Sequence, residues 1–194
     1  MASTESARPG SPIAAEELLR DAGALLEGHF QLSSGKHSLI YVEKFRLLER
    51  PPQTESLCRM IVDWARPLEP QLVAGPTTGG VIISYEVARM LGTKGIFAES
   101  DSGGRAFKRG FQLADGERVL IVDDVLSTGG SLRDVIDAVR REGGEPVGIA
   151  VLADRTAGTT DFGLPFYACL SLEVPAYDAA DCPGCRVGTA LTIT

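Results

Sequence analysis

Apolar residues begin to recur at helical spacing only after Pro12. Leu18, Leu19, Ala22, Leu25 and Leu26 share one face of a 3.6-residue period and predict an amphipathic helix over 13–27, with Gly28 as its stop. From Phe30 to Phe45 the pattern changes: Ser33, Ser34 and Gly35 form a turn cluster ahead of Leu39, Ile40, Tyr41 and Val42, which predicts short strands about a turn. Beyond Pro51 and Pro52 the helical period returns at Leu57, Ile61, Trp64 and Ala65 and ends near Pro67. From Leu72 onward short apolar runs alternate with longer helical ones. Strands are predicted at 72–74, 95–98, 119–122, 147–152 and 166–172, and helices at 81–91 and 132–142. This alternation is the signature of an α/β fold, a parallel sheet with crossover helices. The helix over 132–142 is the best marked. Leu132, Val135, Ile136 and Val139 make its buried stripe, Ser131 stands where an N-cap belongs with Asp134 three residues on, and Gly143 can end it.

Composition narrows the picture. Residues 1–12, rich in Ser, Pro, Gly and Thr, offer too little apolar surface to offset the entropy of ordering and are expected to form a disordered tail. With 194 residues, 44% of them hydrophobic, the remainder (13–194) reads as one domain, long enough to bury roughly 70% of its unfolded surface. Four cysteines are too few for a disulfide scaffold, so reduced thiols are expected. No apolar run approaches membrane-spanning length, and the start lacks the charged and apolar segments of a signal peptide. A cytoplasmic protein with no membrane partner is therefore expected. The net charge of -7 argues against a nucleic-acid partner, which needs a basic face. A small anionic ligand remains compatible, because distant charges are screened over about 10 Å.

The chemistry concentrates between Val119 and Ser131. Four apolar residues, Val119 to Val122, form a buried strand; Asp123 and Asp124 stand at its end; Val125, Leu126, Ser127, Thr128, Gly129, Gly130 and Ser131 lead into the helix. Open α/β sheets bind ligands at the carboxyl ends of their strands. Unpaired N–H groups of such a turn, aided by the helix dipole, attract a phosphate, and Gly129 and Gly130 let the backbone come close. The two carboxylates are acceptors suited to the hydroxyls of a sugar whose phosphate occupies the turn. Neither GxGxxG nor GxxxxGK[ST] is present, which weakens a dinucleotide or ATP reading.

An apolar strand, an acid pair, Ser-Thr-Gly-Gly-Ser and a helix together resemble the phosphoribosyl pyrophosphate (PRPP) motif of type I phosphoribosyltransferases. Further stretches resemble the bacterial orotate phosphoribosyltransferases: Gly28 to Ser38 followed by Tyr41, Gly75-Pro76-Thr77-Thr78-Gly79-Gly80, Phe97-Ala98-Glu99, Lys108-Arg109-Gly110-Phe111 and Cys182-Pro183-Gly184-Cys185-Arg186. The resemblance implies a parallel core over about 70–175 and a small hood built from 28–50 and 176–194. It also implies transfer of a phosphoribosyl group from PRPP to orotate, with Mg²⁺ held mainly by PRPP, and a homodimer. By the same resemblance Thr77, Thr78, Gly79 and Gly80 bind the pyrophosphate. Asp123 and Asp124 act on the ribose, and Lys108 and Arg109 are the catalytic cations, with Arg105 a further PRPP contact. Arg155 holds orotate, and Ser127 stands where the family has a threonine that touches it.

The residues support this in part. Orotate carries a carboxylate, and Arg155, after the predicted strand 147–152, is suited to a bidentate pair with it; the plain alternative is a surface ion pair with Asp154 or Asp161. The position after Phe97-Ala98-Glu99, usually an arginine in the family, is Ser100, and the pyrophosphate loop has Thr77 and Thr78 where other branches have a lysine. The Gly-containing segment 100–110 is the candidate closing lid, with a hairpin between strands as the alternative. Two rival functions stay open at this stage: transfer to a purine base, and sensing of PRPP without catalysis. Cys182 and Cys185 form a single CxxC, a weak zinc signal, since His29 and His37 lie far upstream and are expected to fill hydrogen-bonded structural roles.

Overall fold

The structure is a computed structural model and describes residues 12–32 and 34–194. The tail expected over 1–12 therefore falls outside the described residues except for Pro12, as does Ser33 of the predicted turn. In chain order the elements are α1 (Pro12–Asp21), β1 (Leu25–Gln31), β2 (His37–Val42), α2 (Lys44–Leu48), α3 (Pro51–Ala65), β3 (Leu72–Pro76), α4 (Gly79–Leu91), β4 (Lys94–Asp101), β5 (Gly104–Phe107), β6 (Arg118–Leu126), α5 (Gly130–Arg141), β7 (Glu145–Asp154), β8 (Phe166–Ser171), α6 (Pro183–Arg186) and β9 (Thr192–Ile193). Six strands make the central sheet in the order β5-β4-β3-β6-β7-β8, parallel except for the β4–β5 pair. The predicted parallel sheet flanked by helices is thus observed. A second sheet, β2-β1-β9, joins the early hairpin to the end of the chain.

The pleat of β6 shows how the sequence makes this core. Successive side chains point to opposite faces, so Leu120 and Val122 enter one apolar cluster with α1, α3 and α4, while Val119 and Ile121 enter the other with the stripe of α5. All four are fully buried. The α5 stripe is the predicted one: Leu132, Val135, Ile136 and Val139.

Two local expectations are corrected, at the first helix and at the start of α5, and one alternative is observed, at 100–110. The first helix ends at Asp21, not near Gly28. Gly23 adopts φ +66° and the chain turns, after which Leu25 and Leu26 pair with Val42 and Tyr41 of β2. Ladder hydrogen bonds over seven residues outweigh a helical period that the last two leucines only continue. The segment 100–110 is largely a hairpin: Ser100 pairs with Arg105 and Asp101 with Gly104, extending the edge of the sheet. Finally, α5 starts at Gly130, with Gly129 at φ +81° as its N-cap, so Ser131 lies inside the first turn and does not cap it. A residue with positive φ turns the chain into the helix two positions before the first apolar contact would suggest.

Candidate active site

The site lies where β3, β6 and β7 end. Strand β6 carries the acid pair within its last residues, Asp123 opposite Val151 and Leu126 opposite Asp154. Its alternation slips across the pair, since Val122 and Val125 both pack on the first cluster while Leu126 joins the second. The carboxylates turn back on their own chain: the Asp124 N–H donates to Asp123 Oδ1 at 2.8 Å, and the Val125 N–H donates to Asp124 Oδ1 at 2.6 Å. Asp124 is buried, and Lys44 Nζ of α2 stands 3.0 Å from its Oδ2. Nothing in the sequence near the acid pair points to Lys44, 80 positions upstream, and sequence reasoning missed it.

Burial first, and then the negative Asp124 beside it, push the Asp123 carboxyl up to about 7; the nearby cations Lys44 and Arg105 pull the other way. A carboxyl raised above its unfolded value of about 3.9 contributes stability that is fully present below that pH and is lost as pH rises through the folded value. Unliganded protein is therefore expected to show a component of stability that declines between about pH 4 and 7. Asp123→Asn should abolish that component, as urea unfolding of both proteins across this range will measure.

The loop after β3 meets the acid pair directly. A Cβ on Gly79 would lie 1.6 Å from Asp124 Oδ2, and one on Gly80 would lie 3.2 Å from Asp123 Oδ1 and 2.7 Å from Pro76 Cδ. These glycines are what lets the start of α4 rest on the carboxylates, and the preceding Thr77–Thr78 peptide is cis. Gly79→Ala must displace Asp124 or the helix. We expect a loss of about 1–3 kcal/mol of stability by urea unfolding.

Arg105, on β5, ties this loop to the other. Its Nη1 donates to Thr77 Oγ1 at 3.1 Å and to the Ala98 carbonyl at 3.2 Å, and its Nη2 donates to Ser131 Oγ at 3.2 Å. Asp123 and residues 125–132 line a cavity of about 50 Å³. No side chain caps the first turn of α5, whose N–H groups adjoin this cavity, while Gly129 packs too closely on Phe162 and Thr160 to carry a side chain without movement. Ser127 and Thr128 are exposed on the turn.

Arg155 follows β7 and is half-buried. The expected alternative, an ion pair with Asp154 or Asp161, does not form among the described residues. Asp154 is taken by Thr156 N–H and hydroxyl, both at 2.7 Å, and by Gly158 N–H, and Asp161 by Gly163 N–H. The Arg155 Nε is buried without a hydrogen-bond partner. Burial holds this guanidinium below its ordinary pKa, and Tyr41 of β2 is the ionisable neighbour that offsets the shift. Lys108 and Arg109 are placed differently. Lys108 Nζ binds the Ser100 carbonyl at 3.0 Å and lies 3.4 Å from Asp101, and Arg109 makes a two-bond pair with Glu99 at 2.9 and 3.0 Å. The cations whose charge reaches Asp123 are Lys44 and Arg105.

The turn before α5, the two carboxylates and the glycine loop pressed against them thus meet at the ends of adjacent strands. The chain belongs to the phosphoribosyl transferase domain family, whose model its residues 52–180 match. It is 45% identical to the orotate phosphoribosyltransferase of Pelotomaculum thermopropionicum over 88% of this chain and 90% of that protein. To the orotate phosphoribosyltransferase of Heliobacterium modesticaldum it is 43% identical, over 89% and 92%. The crystal structure of Mycobacterium tuberculosis orotate phosphoribosyltransferase in complex with PRPP superposes with a TM-score of 0.67 at 25% identity, covering 84% of this chain and 97% of that one.

Proposed function

We propose that the chain transfers the 5-phosphoribosyl group of PRPP to orotate, giving orotidine 5'-monophosphate and pyrophosphate in de novo pyrimidine biosynthesis. The observation that carries this reading is the meeting of three differently equipped strand ends: the glycine loop after β3, the acid pair and turn of β6, and the unpaired guanidinium after β7. The 5-phosphate sits on N–H groups of the turn Ser127 to Ser131 and the start of α5, where the helix dipole favours negative charge. Ribose hydroxyls donate to Asp123 and Asp124. Thr77 to Gly80 and Arg105 receive the pyrophosphate, and Arg155 pairs with the orotate carboxylate beside Ser127.

Bond formation joins the orotate ring nitrogen to C1 as the C1–O bond to pyrophosphate breaks; the electron pair leaves with pyrophosphate, and the proton of the nitrogen is released to water. The protein's share is alignment and charge complementarity. Lys44 and Arg105 are already beside the acid pair, and Lys108 and Arg109 join as catalytic cations once they exchange Asp101 and Glu99 for pyrophosphate. Mg²⁺ fits this corner, because it prefers oxygen ligands and the partly buried Asp123 stands beside a second carboxylate. When bound with PRPP, it offsets the negative charge of the leaving pyrophosphate. The small sheet, whose Tyr41 acts electrostatically on Arg155, serves in this reading as the hood over the site. A homodimer accords with the exposed Ile82 and Tyr85 of α4, and a cytoplasmic enzyme with the absence, among the described residues, of any helix long and apolar enough to cross a membrane.

The deciding assay mixes the protein with PRPP, Mg²⁺ and a panel of bases, and follows loss of each base and release of pyrophosphate. Orotate alone should be consumed. Consumption of a purine instead would overturn the substrate, and calorimetry showing no heat on titration of PRPP would overturn the site.

A further inference from the structure

Far apart in sequence, two histidines and two cysteines converge beside the small sheet. His29 Nε2 lies 3.0 Å from His37 Nδ1, 3.4 Å from Cys182 Sγ and 3.6 Å from Cys185 Sγ, and Cys185 Sγ lies 3.2 Å from His37 Nδ1. All four atoms fall within 4.8 Å of one another. This revises the expectation that the CxxC stands alone and that the histidines serve only as hydrogen-bonded structural groups.

We propose that His29, His37, Cys182 and Cys185 bind one zinc ion, which fastens the C-terminal segment to the β1–β2 hairpin. Zinc holds nitrogen at about 2.0–2.1 Å and sulfur at about 2.3 Å in a tetrahedron, which sets N to N at about 3.3 Å and N to S at about 3.6 Å. Four of the six separations, at 3.0, 3.2, 3.4 and 3.6 Å, sit close to those edges. Hydrogen bonding alone accounts poorly for the cluster. His29 Nδ1 lies 2.9 Å from the Thr189 carbonyl, which can only accept, so the proton is on Nδ1 and Nε2 has one lone pair. Three neighbours converge on that lone pair, more than a single acceptor orbital serves. A ligating histidine commonly has this same arrangement, with its second nitrogen donating to a carbonyl.

The surroundings suit a closed structural site. His29, His37 and Cys182 are buried, and Cys185 is exposed and gives an ion its way in. Between the cysteines, a Cβ at Gly184 would come within 2.7 Å of the His29 ring, so the CxxC can seat that ring only with glycine there. The backbone ties holding this end of the chain are few. Strand β9 pairs with β1 at two positions, and Tyr177 bridges to His37. A cross-link between residues 153 positions apart removes much freedom from the unfolded chain, and binding energy at such a site becomes folding energy. Lys44, which contacts Asp124, follows β2 by two residues, so the anchored hairpin also steadies one side of the active site.

The test uses the full chain with its cysteines reduced. Protein purified from zinc-supplemented medium should retain about one zinc per chain by plasma mass spectrometry, and its melting temperature should fall by about 5 °C or more when a strong chelator strips the ion. Titrating Co²⁺ into the stripped protein should produce the visible absorption of tetrahedral cobalt with thiolate ligands, discharged by Zn²⁺. Cys185→Ser should weaken zinc binding at least tenfold. Retention of less than a tenth of an equivalent with no tetrahedral cobalt spectrum overturns the proposal. Should the serine variant not fold, the cobalt spectrum of the parent decides.

Discussion

Arg155→Leu is expected to lower kcat/KM for orotate by on the order of 300-fold, the equivalent of losing a bidentate charge-assisted pair of about 3–4 kcal/mol, while PRPP binding in calorimetry stays close to that of the parent. The reasoning starts from an apparent defect. A half-buried guanidinium whose Nε has no partner, and whose pKa burial lowers, is a destabilising feature of the unliganded chain. Nearby carboxylates do not relieve it, because Asp154 is committed to Thr156 and Gly158. A carboxylate-bearing base would. Leucine in that place removes the desolvated charge, so urea unfolding should show stability equal to or above the parent's, the opposite of what a structural arginine would give. Arg155→Lys keeps charge but not the fork and should fall between the two in kcat/KM. An unchanged KM for orotate in Arg155→Leu would remove this residue from the site.

Much of this was legible in the sequence, and the failures have identifiable causes. The strands around the site follow from uninterrupted apolar runs such as Val119 to Val122, and the stripe of α5 from its period; both depend on local pattern and both are observed. The helical period overruns the first helix because Leu25 and Leu26 continue it, while the pairing that claims them depends on β2, which the local pattern does not weigh. The sequence pattern sets the start of α5 late because Ser131 has the chemistry of a cap, whereas the residue at the N-cap is Gly129, whose positive φ turns the chain into the helix. Lys44 carries no local signal, and His29 and His37 read as structural rather than as partners of the CxxC, for a common reason. Their partners lie 80 and about 150 positions away, and only the fold brings such residues together.

Asp124→Asn tests the acid pair itself and is expected to lower kcat/KM for PRPP by on the order of 10³, as replacing a carboxylate by an amide removes both a charge-assisted hydrogen bond and part of the site's charge pattern. The substitution is nearly isosteric, and Gly79 presses so closely on Oδ2 that the amide has little room to move elsewhere. Lys44 loses its counter-charge, but its side chain is 37% exposed and can rehydrate, so the loss of stability should stay near 1–2 kcal/mol. The more discriminating signal is in pH. Burial and Asp124 together hold the Asp123 carboxyl up near 7 against the pull of Lys44 and Arg105, so neutralising Asp124 leaves burial opposed by those cations and should move the pH midpoint of PRPP binding downward. Asp123→Asn should instead remove that midpoint altogether. Calorimetric titration of PRPP with Mg²⁺ from pH 5 to 9 separates the three proteins, and identical profiles for the parent and Asp124→Asn would show that the two carboxylates do not act as a coupled pair.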